Sequence, residues 1–216
     1  MPDHVAIQKA LRARLLTLYV CTTGTTSLSA TLSGYARSSG SFLVDGFAVG
    51  MEVLPTGFTD TDRVVITSLT ATAMTVDGGR TVDAEAGGRS LAVGLPEGIA
   101  WDNVMLTPTG GRPYLEESYI PATSSLVSAP ATGGTAEDTG LYVIRWYGLA
   151  NTGLGSLAAP ASAILELFKP GTALTVADGT VHVRGDIGPF GGAIRGDLPG
   201  WSVVTVTIPW RLYSVN

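Results

Sequence analysis

The sequence predicts an α+β protein in which two helices flank a mixed or antiparallel sheet, with a small all-β barrel or sandwich inserted after the first helix. Three observations lead to this prediction. Apolar residues recur at helical spacing near the N-terminus and near residue 160, and alternating apolar and polar residues mark strands on both sides of the second helix. Between residues 22 and 94 the composition changes abruptly to Ser, Thr, Gly and Ala with short β-prone runs. Helices and strands in this order favour α+β.

The first element is an amphipathic helix that Asp3 can cap and that we expect to end near Tyr19. Its apolar stripe is Ile7, Leu11, Leu15 and Leu18. Residues 22–94 follow, and turn signals divide them into short strands about ten residues apart, which is typical of a small barrel or sandwich. We therefore predict one domain from residues 1–21 and 95–216, with residues 22–94 as an inserted all-β module.

Strands are predicted next at residues 99–107, 113–120 and 140–149, and residues 123–139 are predicted to form a long mobile loop. In the strand at 140–149, one side is apolar and consists of Tyr142, Ile144 and Trp146. The other side carries Leu141, Val143, Arg145 and Tyr147. An arginine and a tyrosine on this side could equally meet water or a neighbouring subunit. Since Tyr and Arg are enriched at interfaces, Arg145 and Tyr147 are our candidate residues for a subunit interface.

A second helix is predicted at residues 157–168, followed by a strand at 180–184, a glycine-rich loop at 185–200 and a strand at 202–213. The inward residues of the last strand are predicted to be Val204, Val206, Ile208, Trp210 and Leu212. Pro209 has no N–H to donate, so this strand is expected at a sheet edge or to end its pairing there.

Composition excludes several classes of function. A net charge of −5 in 216 residues argues against binding to a nucleic-acid backbone, and we predict no sequence-specific nucleic-acid partner. The single cysteine, Cys21, excludes an intramolecular disulfide framework. No apolar run approaches the ~18 residues of a membrane span and no signal-peptide core is present, so we expect a soluble protein made in the cytoplasm, with no membrane partner.

Candidate chemical sites are weak. Gly153, Gly155 and Ala158 form a G-x-G-x-x-A pattern with Asp178 twenty residues later, which a dinucleotide site would use; a simple turn into the helix is favoured instead. His4 and His182 lack ligand partners at metal spacing. The carboxylate pairs Glu116-Glu117 and Glu137-Asp138 are interpreted as solvated charge. We predict no catalytic residue, no cofactor and no metal ligand, and no enzyme.

Several motifs occur in an order that resembles the tail terminator proteins of long-tailed, siphovirus-type bacteriophages. They are I-x-x-A-L-x-x-R-L at residues 7–15, IAWDNV…GRPYLE at 99–116, GLYVI at 140–144, LFKPGTAL at 167–174 and VVTVTIPWR at 203–211. The resemblance covers residues 1–20 and about 97–216. The inserted module departs from it, although DGFAVGMEVLPTGF at residues 45–58 is similar to small β modules that decorate other phage virion proteins.

This resemblance implies a structural virion protein at the head-proximal end of the tail. Six copies would form a ring that caps the tail tube, ends its polymerisation and joins it to the head connector. The implied partners are other copies of the chain, the tail tube protein and the connector or neck protein. Two alternatives stay open: a neck or head-completion protein, and a carbohydrate- or protein-binding module carried by the β insert.

Overall fold

A computed structural model of the chain describes residues 3–102, 104, 106–108, 110–128, 134–153, 155–184, 192–194 and 200–215. These residues form two helices and two β-sheets, and 51% of the chain is in strands. The elements are α1 His4–Leu15, β1 Tyr19–Thr22, β2 Thr26–Thr31, β3 Gly34–Ala36, β4 Glu52–Thr56, β5 Val64–Leu69, β6 Ala73–Val76, β7 Asp83–Gly94, β8 Gly98–Ala100, β9 Tyr114–Ser128, β10 Thr135–Leu149, α2 Gly155–Leu167, β11 Ala173–Val176, β12 Gly179–Val183, β13 Gly192–Ile194 and β14 Trp201–Val215.

The first sheet closes on itself. Its six strands run β2-β3-β6-β5-β4-β7, and the long strand β7 pairs with β4 on one side and with β2 on the other. β1 continues the β2 side of β7, with Thr22 opposite Ala92. Closure removes the free strand edges that an open sheet would expose. The predicted barrel-or-sandwich insert is therefore a barrel. Its interior is filled by fully buried apolar side chains, including Leu28, Tyr35, Phe42, Val53, Ile66, Met74 and Leu91.

The second sheet has the order β11-β12-β14-β10-β9-β8, with β13 added to β14. Every pairing is antiparallel except β8–β9, so the sheet is mixed. Its inner face packs against both helices and forms a core separate from that of the barrel. The core residues from the sheet include Leu115, Tyr142, Ile144, Trp146, Val204, Val206, Ile208, Trp210 and Leu212. The predicted inward faces of the strands at 140–149 and 202–213 are confirmed.

The predicted fold class is confirmed only in part. Strands dominate, and the helices do not flank the sheet on two sides, since the buried residues of α1 and α2 belong to the same core. Amphipathic patterns identified both helices, but a single apolar stripe does not specify which face of a sheet it covers. The boundaries of the inserted module at residues 22 and 94 stay a prediction.

α1 begins as predicted, because the Asp3 carboxylate accepts hydrogen bonds from the backbone N–H groups of Val5 and Ala6. It ends at Leu15, earlier than expected, since Tyr19 already lies in β1 and pairs with Gly94 of β7. The apolar spacing continues to Leu18, but the chain leaves the helix before this residue because the next one pairs with the barrel. Leu18 still packs into the core beneath the helices, and its N–H donates to the Leu15 carbonyl.

The prediction of a long mobile loop at residues 123–139 is wrong. β9 extends to Ser128 and β10 begins at Thr135, and β14 pairs with β10 along its whole length. Ser, Thr and Ala in this segment lack the apolar alternation that marks a half-buried strand, but their backbone groups pair equally well. The Thr123 and Thr139 hydroxyls add a cross-strand hydrogen bond of 3.0 Å. Residues 129–133 lie outside the described residues.

Two other sequence predictions change. The strand expected at 99–107 is only three residues long, because β8 stops at Ala100. The strand with Pro209 is not at an edge: β12 pairs with its residues 210–212 and β13 with 202–204. Pro209 lies between these two partners, and its carbonyl accepts a hydrogen bond from Arg184 N–H. The described pairing with β12 therefore stops beside Pro209, which agrees with the alternative that pairing ends there. Of the predicted loop at 185–200, only β13 and Gly200 are described.

Candidate functional site

The proposed interface residue Tyr147 lies on the outer face of the second sheet, away from the helices. Its ring stacks on Tyr114 with centroids 4.2 Å apart, and its hydroxyl donates to Glu116 Oε2 at 2.7 Å. Trp201 meets the Tyr114 ring edge-on at 5.0 Å. The Tyr147 side chain is fully buried within its own subunit, so it positions Glu116 and has no surface to offer a second copy.

Arg145 lies two residues before Tyr147 on β10, on the same face, and its side chain is more accessible to solvent. It lies opposite Glu116 on β9 and Thr205 on β14, and its guanidinium donates to Ser118 Oγ at 3.3 Å. Its side chain is half-buried. An arginine with an acidic neighbour and remaining donors can contact another protein while staying oriented by its own sheet. The interface role of Arg145 stays a prediction.

A row of apolar residues crosses the same face. Ile120 of β9, Leu141 of β10 and Pro209 of β14 are directly opposite one another in register. The exposed fractions of Ile120 and Leu141 are 45% and 37%. The alternation along β10 predicts Leu141 on this face, but only the strand register brings it beside Ile120. Apolar side chains beside an oriented arginine suit a protein contact.

The inner face of the sheet holds a buried carboxylate, Glu117, of which 3% is exposed. It makes an ion pair with Arg12 of α1 and accepts hydrogen bonds from Gln8 Nε2 at 3.3 Å and from the Tyr142 hydroxyl at 2.5 Å. The bond to Glu117 raises the pKa of Arg12, and burial, followed by the charge of Glu117, raises the pKa of Tyr142. The Arg12 guanidinium also lies 5.1 Å from the centre of the Trp101 ring.

Both carboxylate pairs are therefore divided by the sheet. Glu117 and Asp138 point inward and are buried, so the interpretation of these two as solvated charge is wrong, whereas Glu116 lies on the outer face. Asp138 accepts a hydrogen bond from the buried Ser214 hydroxyl at 3.4 Å. The period of two along a strand explains the division, since adjacent residues point to opposite faces. Glu117 is fully engaged by donors, and this arrangement holds α1 on the sheet.

The glycine pattern at 153–158 has a packing role in the structure. Gly153 has a φ of +86°, in the turn that leads into α2. Residues with a side chain rarely adopt this backbone conformation, whereas glycine adopts it without strain. Gly155 is the first residue of α2, and a Cβ atom there would lie 2.8 Å from the Ala48 Cβ of the barrel. This geometry agrees with the favoured interpretation as a turn, and it adds a close contact that the sequence could not reveal.

The histidines occupy separate places. His4 Nδ1 is 2.9 Å from the Tyr119 hydroxyl, and His182 lies opposite Arg211 in the sheet. Among the described residues, no group of three or more His, Cys, Asp or Glu side chains is arranged to hold a metal ion. Within the same residues, no helix has the length and apolar character needed to cross a membrane.

Comparisons with known proteins place these features in a family. A search of curated proteins finds no match. One solved structure shares 22% identity with the chain over 57% of this chain and 80% of its own, with a TM-score of 0.40. The model of the phage tail terminator protein family matches residues 89–210, from the end of β7 to Trp210 of β14. That match spans more than half of the chain and nearly all of the second sheet. The chain therefore belongs to the phage tail terminator family, and it is a structural component of a phage tail.

Proposed function

We propose that copies of this protein form a ring on the head-proximal end of the tail tube of a long-tailed, siphovirus-type phage. The ring ends polymerisation of the tube and presents the surface to which the head connector or neck binds. The family match over residues 89–210 carries this proposal, since it covers the sheet that holds the candidate contact residues. Six copies are expected from the resemblance of the motifs.

Assembly physics explains why such a protein is needed. Rings that stack head to tail have no intrinsic length limit, because every added ring recreates the binding face of the last one. A terminator binds the last ring through one face and presents a different face on the other side. Each subunit also needs two unlike lateral faces to close a ring. We assign the outer sheet face with Arg145, Ile120 and Leu141 to one of these contacts.

The role is proposed to be structural and without catalysis or a cofactor. In support, the buried acids Glu117 and Glu52 are each held by arginines and hydrogen bonds that link separate elements. A carboxylate that acts as a general acid or base needs access to a substrate, whereas these are occupied by structural partners.

Deletion of the gene tests the proposal. The mutant lysate should contain filled heads without tails, together with tubes of irregular or excessive length, and supplying the protein in trans should restore normal virions. Electron micrographs give the tube-length distribution. Mutant virions of normal appearance that fail only at adsorption would show a receptor-binding role and contradict the terminator proposal.

A second role concerns the barrel alone. Val44 is 85% exposed and Leu43 is 55% exposed, in a turn whose neighbouring residue Phe42 fills the barrel core. We propose that this adjacent exposed pair contacts a carbohydrate or another protein. Val44→Ser with Leu43→Ser would then lower attachment of the virion without changing tail length.

A further inference from the structure

Two units contact each other in this chain. One is the barrel of β2–β7 with its attached strand β1, and the other is the sheet unit, formed by α1, α2 and β8–β14. The chain passes between them twice, at residues 16–18 and 95–97. These crossings lie side by side, because Tyr19 and Gly94 are paired in β1 and β7. Two adjacent crossings alone form a hinge about which a barrel could swing.

An ionic contact spans this hinge. Glu52 of β4 has a side chain that is 2% exposed, and its Oε2 accepts a hydrogen bond from the backbone N–H of Glu97 at 2.8 Å. Its Oε1 is 3.2 Å from Arg112 Nη1, in the loop before β9. Within the barrel, Arg63 donates to Glu52 at 3.3 Å and reaches across to the Leu95 carbonyl at 2.8 Å. A buried carboxylate without such partners would strongly destabilise the folded protein, because its charge would be unpaired.

A steric contact lies four residues earlier in the chain, against a different element of the sheet unit. Ala48 of the barrel touches Gly155, where a Cβ atom would lie 2.8 Å from the Ala48 Cβ. Gly50, with a φ of +87°, leaves room for Thr152, whose Oγ1 would be 2.7 Å from an added Cβ. Ala159, one turn along α2 from Gly155, packs against the core of the barrel. The barrel approaches α2 and the turn before it this closely because Gly50 and Gly155 have no side chain.

We propose that these contacts clamp the barrel to the sheet unit at two points, so that both move as one rigid body and the sheet unit sets the position of the barrel in the assembled particle. One clamp joins Glu52 to Arg112 and Glu97. The other joins Ala48 to Gly155 of α2 and Gly50 to Thr152 in the turn before α2. Because two separated contacts fix a rotation that one contact leaves free, the hinge at the chain crossings is locked. This inference is independent of the role proposed for the ring.

Spin-label distances in the full-length protein test the clamp. Labels at Val44→Cys in the barrel and Ser125→Cys in β9 use exposed positions, and labelled protein is diluted with unlabelled protein so that one pair is measured. The parent should give one narrow distance distribution, and it should unfold in one thermal transition. A broad distribution in the parent, or two separate transitions, would overturn the proposal.

Variants then separate the two clamps. Arg112 is one-third exposed, and Arg112→Ala removes an ionic partner from the buried carboxylate of Glu52. This change should increase protease cleavage within residues 94–98 about tenfold. Gly155→Ala should broaden the label distances, and adding Ala48→Gly should restore the parent width by removing the overlapping atom. Lys169→Ala, which breaks an exposed pair with Glu166, is the control and should change neither readout. Equal widths in Gly155→Ala and the parent, or equal cleavage in Arg112→Ala and the control, would refute the corresponding clamp.

Discussion

At the scale of single residues, Glu117 fixes the first helix on the sheet. Its carboxylate brings together Arg12 and Gln8 from α1 and Tyr142 from β10. Because adjacent residues of a strand point to opposite faces, Glu117 faces inward while Glu116 faces outward. A buried carboxylate is stable in this core because each of these donors is aimed at it.

We predict that Glu117→Ala lowers the free energy of unfolding by about 3 kcal/mol, because it leaves Arg12 and the Tyr142 hydroxyl without their shared acceptor. Urea unfolding followed by fluorescence measures the change. Glu166→Ala is the matched control, since it removes a carboxylate whose pair with Lys169 is exposed, and it should cost less than about 0.5 kcal/mol. Equal losses in the two variants would contradict the role of Glu117.

The thiol of Cys21 gives a prediction about pH. Burial in the barrel raises the pKa of Cys21 to about 12, while the unfolded chain has a thiol pKa near 8.5. The unfolded state therefore loses its proton first, so stability is complete below about pH 8.5 and declines as pH rises toward 12. Burial also raises the pKa of Tyr142 and Tyr119, which act in the same direction.

Unfolding free energies measured from pH 8 to 11 should fall with rising pH. Cys21→Ala should make that fall shallower by up to about 1.4 kcal/mol per pH unit, the contribution of one proton. Iodoacetamide should leave Cys21 unmodified at pH 8 in the folded protein. Rapid alkylation, or an identical slope in Cys21→Ala, would show that the thiol is accessible.

Arg145 is the residue on which the lateral contact is proposed to depend. Arg145→Glu should reduce the fraction of assembled rings at least about tenfold, since it removes the guanidinium proposed to reach the next copy and places a negative charge opposite Glu116 on the same face. Arg184→Glu is the control, because Arg184 is exposed and lies just after β12, away from β10 in the sequence. Analytical ultracentrifugation with tube ends present gives the fractions, and equal assembly of both variants would remove Arg145 from the interface.

At the scale of elements, sequence patterns predicted those elements whose apolar faces are complete. α2 and the strands at 140–149 and 202–213 were located because alternating or helical spacing marks a buried face. The end of β9 and the start of β10, within residues 123–139, are not predicted because their Ser and Thr residues show no apolar alternation. Gly140 illustrates what else is hidden: an added Cβ there would overlap the Trp210 ring and lie 2.6 Å from the Ile120 carbonyl. The sequence shows a glycine, while the packed sheet explains the need for it.

The same contrast applies to the candidate site. Arg145 and Tyr147 were chosen because they share one face of a strand, and the structure places both on the outer face of the sheet. Burial of Tyr147 depends on Tyr114 and Trp201, which come from distant positions in the chain. Spacing within one strand contains no information about such neighbours. The contact of Gly155 with Ala48 was likewise beyond prediction.

The barrel is proposed to be an insert whose removal leaves the sheet unit folded. Replacing residues 22–94 with a short Gly/Ser linker joins positions that are already adjacent, since Cys21 and Val93 are paired. The two units have separate cores, so we expect one cooperative thermal transition in the shortened protein. Calorimetry measures it. An aggregated or non-cooperative product would show that the barrel is part of one indivisible domain.

At the scale of the whole molecule, the chain joins a sheet unit that matches the tail terminator family to a barrel that lies largely outside the family match. The sheet unit supplies an outer face with oriented and apolar side chains, and the clamps would hold the barrel at a fixed place. If the ring forms as proposed, each copy adds one barrel at a regular position. The contacts proposed for the ring would then lie on the outer face of the sheet unit, and the added barrel would leave that face free.

The most direct test of termination adds the purified protein to growing tail tubes of the same phage. We predict that growth stops and that micrographs show one ring at a single end of each tube. Heat-denatured protein serves as the control. Tubes that continue to lengthen in the presence of the protein, or rings bound along the tube wall, would contradict the central claim.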